Sequence, residues 1–262
     1  MSMQEASEIE TPRTLQGITP ERPLNTLLRS LPARDYDRLA PHLQRVPMVA
    51  NQVLFRQDAP VDRIYFPGGG ACSLVKHTED GQTAEVAMVG REGAIGGCLA
   101  FGLEYSPCDV IVQIAGPYAD VLDVDVFKRE LEARGALYAG VATYCQALLL
   151  LLMQSTACNS LHSAEKRLVR WLLMTHDRSG RNQFRFTHEH VASMLGLRRP
   201  TVTIVAGKLQ AARLIECRRG TVTIHDRPGL EAAACECYRT VRRTFERLAA
   251  DTPDSRLELQ AQ

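Results

Sequence analysis

No cysteine precedes position 72. The eight that follow, at 72, 98, 108, 145, 158, 217, 235 and 237, show none of the spacing of a secreted disulfide scaffold. The N-terminal residues lack the apolar core of a signal peptide. The apolar run Leu148 to Met153 falls far short of the ~20 residues needed to cross a bilayer. Catalytic motifs are missing too: neither Gly-x-Ser-x-Gly nor His-Glu-x-x-His occurs, and Cys145 and His162 lie too far apart on one helix to pair. These absences predict a cytoplasmic chain with reduced thiols, no membrane span and no enzymatic activity. They also leave no call for a cofactor.

The charge is divided. The 262 residues carry a formal net charge of +1, but Ser163 to Ile224 holds 12 Lys/Arg against 4 Asp/Glu, and the remainder 19 against 26. A basic module on an acidic body is the electrostatic footprint of nucleic-acid binding confined to one end. Inside that module, Thr187 stands at an N-cap position. Val191, Met194 and Leu195 follow at helical spacing, and Gly196 closes the helix. Pro200 then falls in the first turn of a second helix, where no amide bond is lost. Its inward stripe is Val202, Val205, Ala206 and Leu209. Arg218-Arg219-Gly220-Thr221 forms a basic hairpin tip after it. Helix, glycine turn, second helix and basic wing describe a winged helix-turn-helix, whose second helix fits a major groove of double-stranded DNA.

Upstream the periodicity differs. Two short helices broken near Pro32 are expected between Leu24 and Leu43. Short β-rich pieces then recur from Val46 to Val124, with a hairpin signal at Asp80-Gly81. They predict a small barrel or jelly roll. The glycine-rich Gly90–Gly97 opens no helix and reads as structural turns rather than a dinucleotide loop. Ala136 to His162 reads as one helix apolar nearly all round. Its seam of Leu137, Val141, Tyr144, Leu148, Leu151 and Ser155, continued by Cys158 and His162, is expected to pack on a twin across a two-fold axis. Beyond Asp226, Pro228-Gly229 is expected to break the chain before one further helix, Leu230 to Ala250, with a solvated arginine-rich side.

Thr187, Val191, Gly196, Arg199, Thr201, Val202 and Leu209 fall on the T-x-x-x-I-x-x-x-x-G-x-x-R-x-T-V pattern of the Crp/Fnr superfamily of transcription regulators, which the chain resembles. The resemblance implies an α+β architecture. An arm (1–23) precedes a double-stranded β-helix, or jelly-roll, sensor domain (24–133). A dimerisation helix (134–162), a winged helix-turn-helix (163–226) and a C-terminal extension (227–262) follow. It also implies a homodimer reading a palindromic operator, with RNA polymerase as a further partner. Arg199, Thr201 and Thr203 would read bases, and Arg198, Lys208, Arg218, Arg219 and Thr187 would hold phosphates. Arg198 and Pro200 replace the Ser and Glu usual at those places, and Ile204 replaces an Arg, so a different operator is expected.

In the β-rich part the effector pocket would be built on Gly96, Gly97, Ser106 and Cys108. The family's cyclic-nucleotide cassette fails there, because Gly97 replaces its Glu and Ser106-Pro107-Cys108 stands where its Arg belongs. Without a cation for the cyclic phosphate, a cyclic nucleotide is not expected and the effector is unknown. The family's iron–sulfur sensors use N-terminal cysteines that this chain lacks. A zinc site from Cys217, Cys235, Cys237 and His225 is not expected, C-x-C being an uncommon spacing, so no metal is assigned. No cation stands near Cys72, Cys98 or Cys108 to make a redox thiol. His77 is expected to be solvated beside Asp80. A second reading is a small-molecule or redox sensor that acts through protein partners.

Overall fold

The computed structural model describes residues 23–250; the arm expected before them and the tail beyond Ala250 lie outside the described residues. The described residues begin with α1 (Thr26–Arg29) and α2 (Ala33–Leu39), separated at Pro32 as expected. Seven strands follow: β1 (Gln44–Val46), β2 (Val53–Phe55), β3 (Arg63–Pro67), β4 (Ala71–His77), β5 (Thr83–Val89), β6 (Asp109–Ile114) and β7 (Ala119–Asp123). They form two antiparallel sheets, ordered β1-β7-β3 and β2-β6-β4-β5. Ile64, Phe66, Val112, Leu122 and Phe127 are buried in the roll core. The β4–β5 hairpin turns at Gly81, whose φ of 81° is one that a side chain would resist. Gly90–Gly97 forms turns among the strands and leads into a 3-10 turn, Gly97–Phe101.

After α3 (Val124–Glu132) comes α4 (Ala136–Leu161), a 26-residue helix. By length and composition it could cross a bilayer, since its apolar residues extend well beyond Leu148–Met153. One face of it is packed inside the protein instead. Leu137, Val141, Tyr144, Leu151, Ser155 and Cys158 are buried against the roll and the C-terminal helices, and Leu148 is half-buried. The seam expected to meet a twin is therefore spent within the protomer. A helix apolar on every side carries no directional signal, so tertiary packing alone selected the inward face. The outward residues are Leu149, Leu150, Met153 and Leu161.

α4 stops at His162, where the backbone turns extended (φ −106°, ψ 150°). Ser163 caps the next helix, α5 (Ala164–Ser179), by accepting from Lys166 N at 3.4 Å. The basic module then unfolds as β8 (Gln183–Arg185), α6 (His188–Leu195), α7 (Arg199–Ala211), β9 (Ile215–Arg218) and β10 (Thr221–Ile224). Its sheet, ordered β8-β10-β9, is antiparallel, and β8 is a strand too short to be read from sequence. Trp171 packs between Phe184 and Phe186 in its core.

The extension departs from expectation. Pro228 opens a helix, α8 (Arg227–Ala233), rather than breaking the chain. Its fixed φ suits a first turn, and Asp226 caps it by accepting from Gly229 N at 2.8 Å. The second helix, α9 (Glu236–Ala250), packs along α4 and keeps Arg239, Arg242, Arg243 and Arg247 on an exposed side, as expected.

The basic module is seated on the β4–β5 hairpin. Trp171 Nε1 donates to Glu85 Oε1 at 3.1 Å. Arg178 Nε lies 3.0 Å from the carbonyl of Met88 and 2.9 Å from Glu92. Thr83 and Ser193 share a hydrogen bond, and Arg185 reaches Asn51 at 3.2 Å.

Candidate nucleic-acid interface

The site grows from two helix starts and a turn. Thr187 accepts from His190 N at 3.2 Å, as its N-cap position predicts. Gly196 ends α6 at φ 57°, and Leu197 N returns to Ala192 O at 2.8 Å, which aims the chain into α7. Val202, Val205, Ala206 and Leu209 are buried, so helical geometry turns Arg199, Pro200, Thr203, Ile204, Gly207 and Lys208 outward.

Arg199 is largely exposed and only 3.8 Å from Glu189. A surface pair of this kind contributes at most ~1 kcal/mol, so the guanidinium is readily released to another acceptor. Thr201 is half-buried in the first turn. Thr203 corrects an expectation. Its hydroxyl donates to Arg199 O at 3.1 Å and lies 2.9 Å from His188 Nδ1, so its one proton is engaged within the helix and only an acceptor lone pair is left to face outward. Ile204, 62% exposed, presents an apolar group on the same face. Arg198 is exposed at the N-cap of α7, and Lys208 sits 3.9 Å from Glu165 further along it.

The wing turns on two residues, Arg219 at φ 47° and Gly220 at φ 76°, the paired positive angles of a type I′ hairpin. Glycine takes that geometry freely, but an arginine does so at a cost of ~1 kcal/mol. Between the starts of α6 and α7 and the wing runs a groove lined by Thr187, His188, Glu189, Arg199, Arg218 and Arg219. Three arginines line it against the single carboxylate of Glu189, a balance of charge that favours an anion.

Other expected sites fare differently. Gly97 and Cys108 are buried in packing, and the Ser106 hydroxyl is engaged with Cys108 O at 2.7 Å. A side chain built at Gly96 would meet Ile64 at 2.9 Å. The four residues are thus occupied by the protein's own packing. A cavity of about 1040 Å³ lies elsewhere, between α1, α4, α5 and α9, with Leu27, Tyr144, Arg178, Arg227, Tyr238 and Phe245 in its wall. His77 is exposed as expected, but its partner is Asp109 rather than Asp80: its Nε2 is 3.1 Å from Asp109, which also holds Arg56 at 2.9 Å.

Burial pushes the Cys108 thiol up to about 11 and that of Cys72 higher still, so neither is an activated thiolate. Burial likewise lifts Glu85 to about 7, against the hydrogen bonds from Ser73 and Trp171 that favour its anion. Among the cysteines and histidines weighed for zinc, Cys217 and His225 stay on the wing, where His225 faces Glu216 at 3.1 Å. Cys235 and Cys237 instead meet Cys158 and His162. These four side chains come from a Cys-x-x-x-His at a helix end and a Cys-x-Cys, a grouping different from the Cys217, Cys235, Cys237 and His225 set.

Residues 45–116 match the cyclic nucleotide-binding domain family, and residues 166–233 match the Crp-like helix-turn-helix domain. Roll, long helix and winged helix-turn-helix in this order make the chain a member of the Crp/Fnr superfamily, a transcription regulator with a helix-turn-helix DNA-binding domain. Solved structures share the fold. The c-di-GMP responsive global regulator CLP of Xanthomonas campestris matches with a TM-score of 0.58 at 18% identity, over 74% of this chain and 100% of that one. A CRP-family transcriptional regulator from Thermus thermophilus gives 0.60 at 17%, over 72% and 95%. FixK2 of Bradyrhizobium japonicum gives 0.59 at 13%, over 74% and 98%. No curated protein sequence matches the chain.

Proposed function

We propose that the protein is a homodimer that reads a palindromic DNA operator in a sequence-specific way, and that its effector is not a cyclic nucleotide. The observation that carries the reading is the outward face of α7, where Arg199 is exposed, held only by a surface pair with Glu189, beside an arginine wing. Arg199 reads a guanine edge in the major groove, and Ile204 touches a thymine methyl beside it. Thr201 backs this first turn. Arg198, Lys208, Arg218, Arg219 and Thr187 hold phosphates on either side and set the register.

A second copy covers Leu149, Leu150 and Met153, which are between 51% and 61% exposed on one stretch of α4. Two heads related by that dyad meet half-sites about one helical turn apart. Any effector acts through the cavity between roll, stalk and head, because the roll's own pocket positions are filled by packing. The test is selection of bound duplexes from a random pool. A two-fold symmetric consensus supports the reading, and recovery of unselected sequences at every salt concentration overturns it.

A further inference from the structure

The last turn of α4 carries Cys158 and ends on His162, one helical turn apart and so on one face. Cys235 lies between α8 and α9, and Cys237 in the first turn of α9. The folding of α9 along α4 brings these four side chains together, with all their ligand atoms within 4.8 Å of one another. Cys158 Sγ is 3.8 Å from Cys235 Sγ, and Cys237 Sγ is 3.4 Å from His162 Nδ1.

These distances discriminate between chemistries. With Zn–S near 2.3 Å and Zn–N near 2.0 Å, a tetrahedral ion sets S···S edges of ~3.8 Å and S···N edges of ~3.5 Å. A disulfide needs its sulfurs at about 2.05 Å, far closer than Cys158 and Cys235 stand. A multi-iron cluster would hold thiolates on different irons well beyond the 4.8 Å that encloses all four ligand atoms.

The surroundings suit a cation as well. The three cysteines form a buried cluster of their own, separate from both main cores. Glu236 Oε1 is 3.4 Å from His162 Nε2, placed to accept from its N–H and leave the Nδ1 lone pair for a metal, the carboxylate–histidine arrangement of zinc sites. Gln154 Nε2 donates to Cys237 Sγ at 3.0 Å. Arg170, buried one turn from the cluster through its bond to Ser155 at 3.0 Å, leaves Nε without a partner. Zinc with three thiolates and one imidazole bears a net negative charge, and Arg170 is the buried cation that offsets it.

We propose that Cys158, His162, Cys235 and Cys237 form a tetrahedral zinc-binding site. On binding, the three thiols release their protons to solvent and the imidazole enters neutral. The ion fastens the C-terminal extension to the end of the stalk, at the point where Ser163 begins the DNA-binding head. The site stands independently of the DNA reading; only its effect on the hinge rests on it.

The test uses the full chain, purified under reducing conditions and loaded with zinc or cobalt alone. About one zinc per chain is expected by elemental analysis. The cobalt form should show the intense visible bands of a tetrahedral ion with thiolate charge transfer. Cys237→Ser and His162→Ala should each lower zinc retention against a competing chelator by at least tenfold, whereas Cys217→Ser should leave it unchanged. Should either cluster variant fail to fold, the wild type decides alone: stripping the metal should lower its melting temperature, and zinc, not magnesium, should restore it. A chain that takes up no zinc or cobalt overturns the site, as does a Cys158–Cys235 disulfide in the reduced preparation or a cobalt spectrum unchanged by Cys237→Ser.

Discussion

Glu85 is one of the residues through which the roll holds the head, and its protonation should be readable directly. Its carboxyl accepts from Trp171 Nε1 at 3.1 Å and from Ser73 Oγ at 2.5 Å. Burial is the larger influence and raises it from 4.5 to about 7, against those hydrogen bonds and the charges of Arg178 and Arg170. A folded-state value above the unfolded one means that the native protein binds this proton more tightly. The favourable contribution is therefore complete below pH 4.5 and is lost as pH rises through about 7. The full displacement corresponds to about 3 kcal/mol, and part of the Glu85 stem is accessible, so the range is about 1–3 kcal/mol.

Glu85→Gln keeps an acceptor for the indole while removing the charge. It should gain that stability relative to the wild type at pH 8 and approach the wild type as pH falls below 4.5. Trp171 is the only tryptophan in the chain, so its fluorescence reports this contact without interference. Wild-type emission should titrate with a midpoint near pH 7, and the variant should be flat. A wild-type midpoint near 4.5, or equal melting temperatures for both proteins at pH 8, would refute the enclosure of this carboxyl.

The remaining expectations concern DNA and assembly. Arg199→Ala should cost ~1–3 kcal/mol at one base position, seen as relaxed preference there in a competition gel shift. Arg219→Gly should weaken all sequences alike and lower the salt slope by about one, yet stabilise the fold by ~1 kcal/mol on denaturant unfolding because the turn is relieved. Met153→Lys should forfeit ~1 kcal/mol per copy of the apolar cover, about 2 kcal/mol per dimer, plus the cost of burying a charge. The dimer constant measured by sedimentation should weaken at least ~30-fold. Leu151→Lys is the contrast: that residue is buried in the protomer, so it should unfold the protein rather than dissociate it.

Local signals settled a good part of this molecule. Alternation, Asp80-Gly81, the Thr187 cap, Gly196 and Pro200 each act within a few residues, and the strands and the two-helix motif they predict are present. Charge division placed the nucleic-acid end for the same reason, since counting needs no fold. Tertiary structure decided the rest. The 26-residue α4 is apolar on every side, so nothing in its own pattern could say that Leu151 faces inward and Leu149 outward. Thr203 lies on the same helix face as Arg199, yet its hydroxyl also stands 2.9 Å from His188, fifteen residues earlier. The four candidate zinc ligands lie in two segments more than seventy residues apart. Each half was visible in sequence, but only the return of α9 along α4 brings sulfur to within a tetrahedral edge of sulfur.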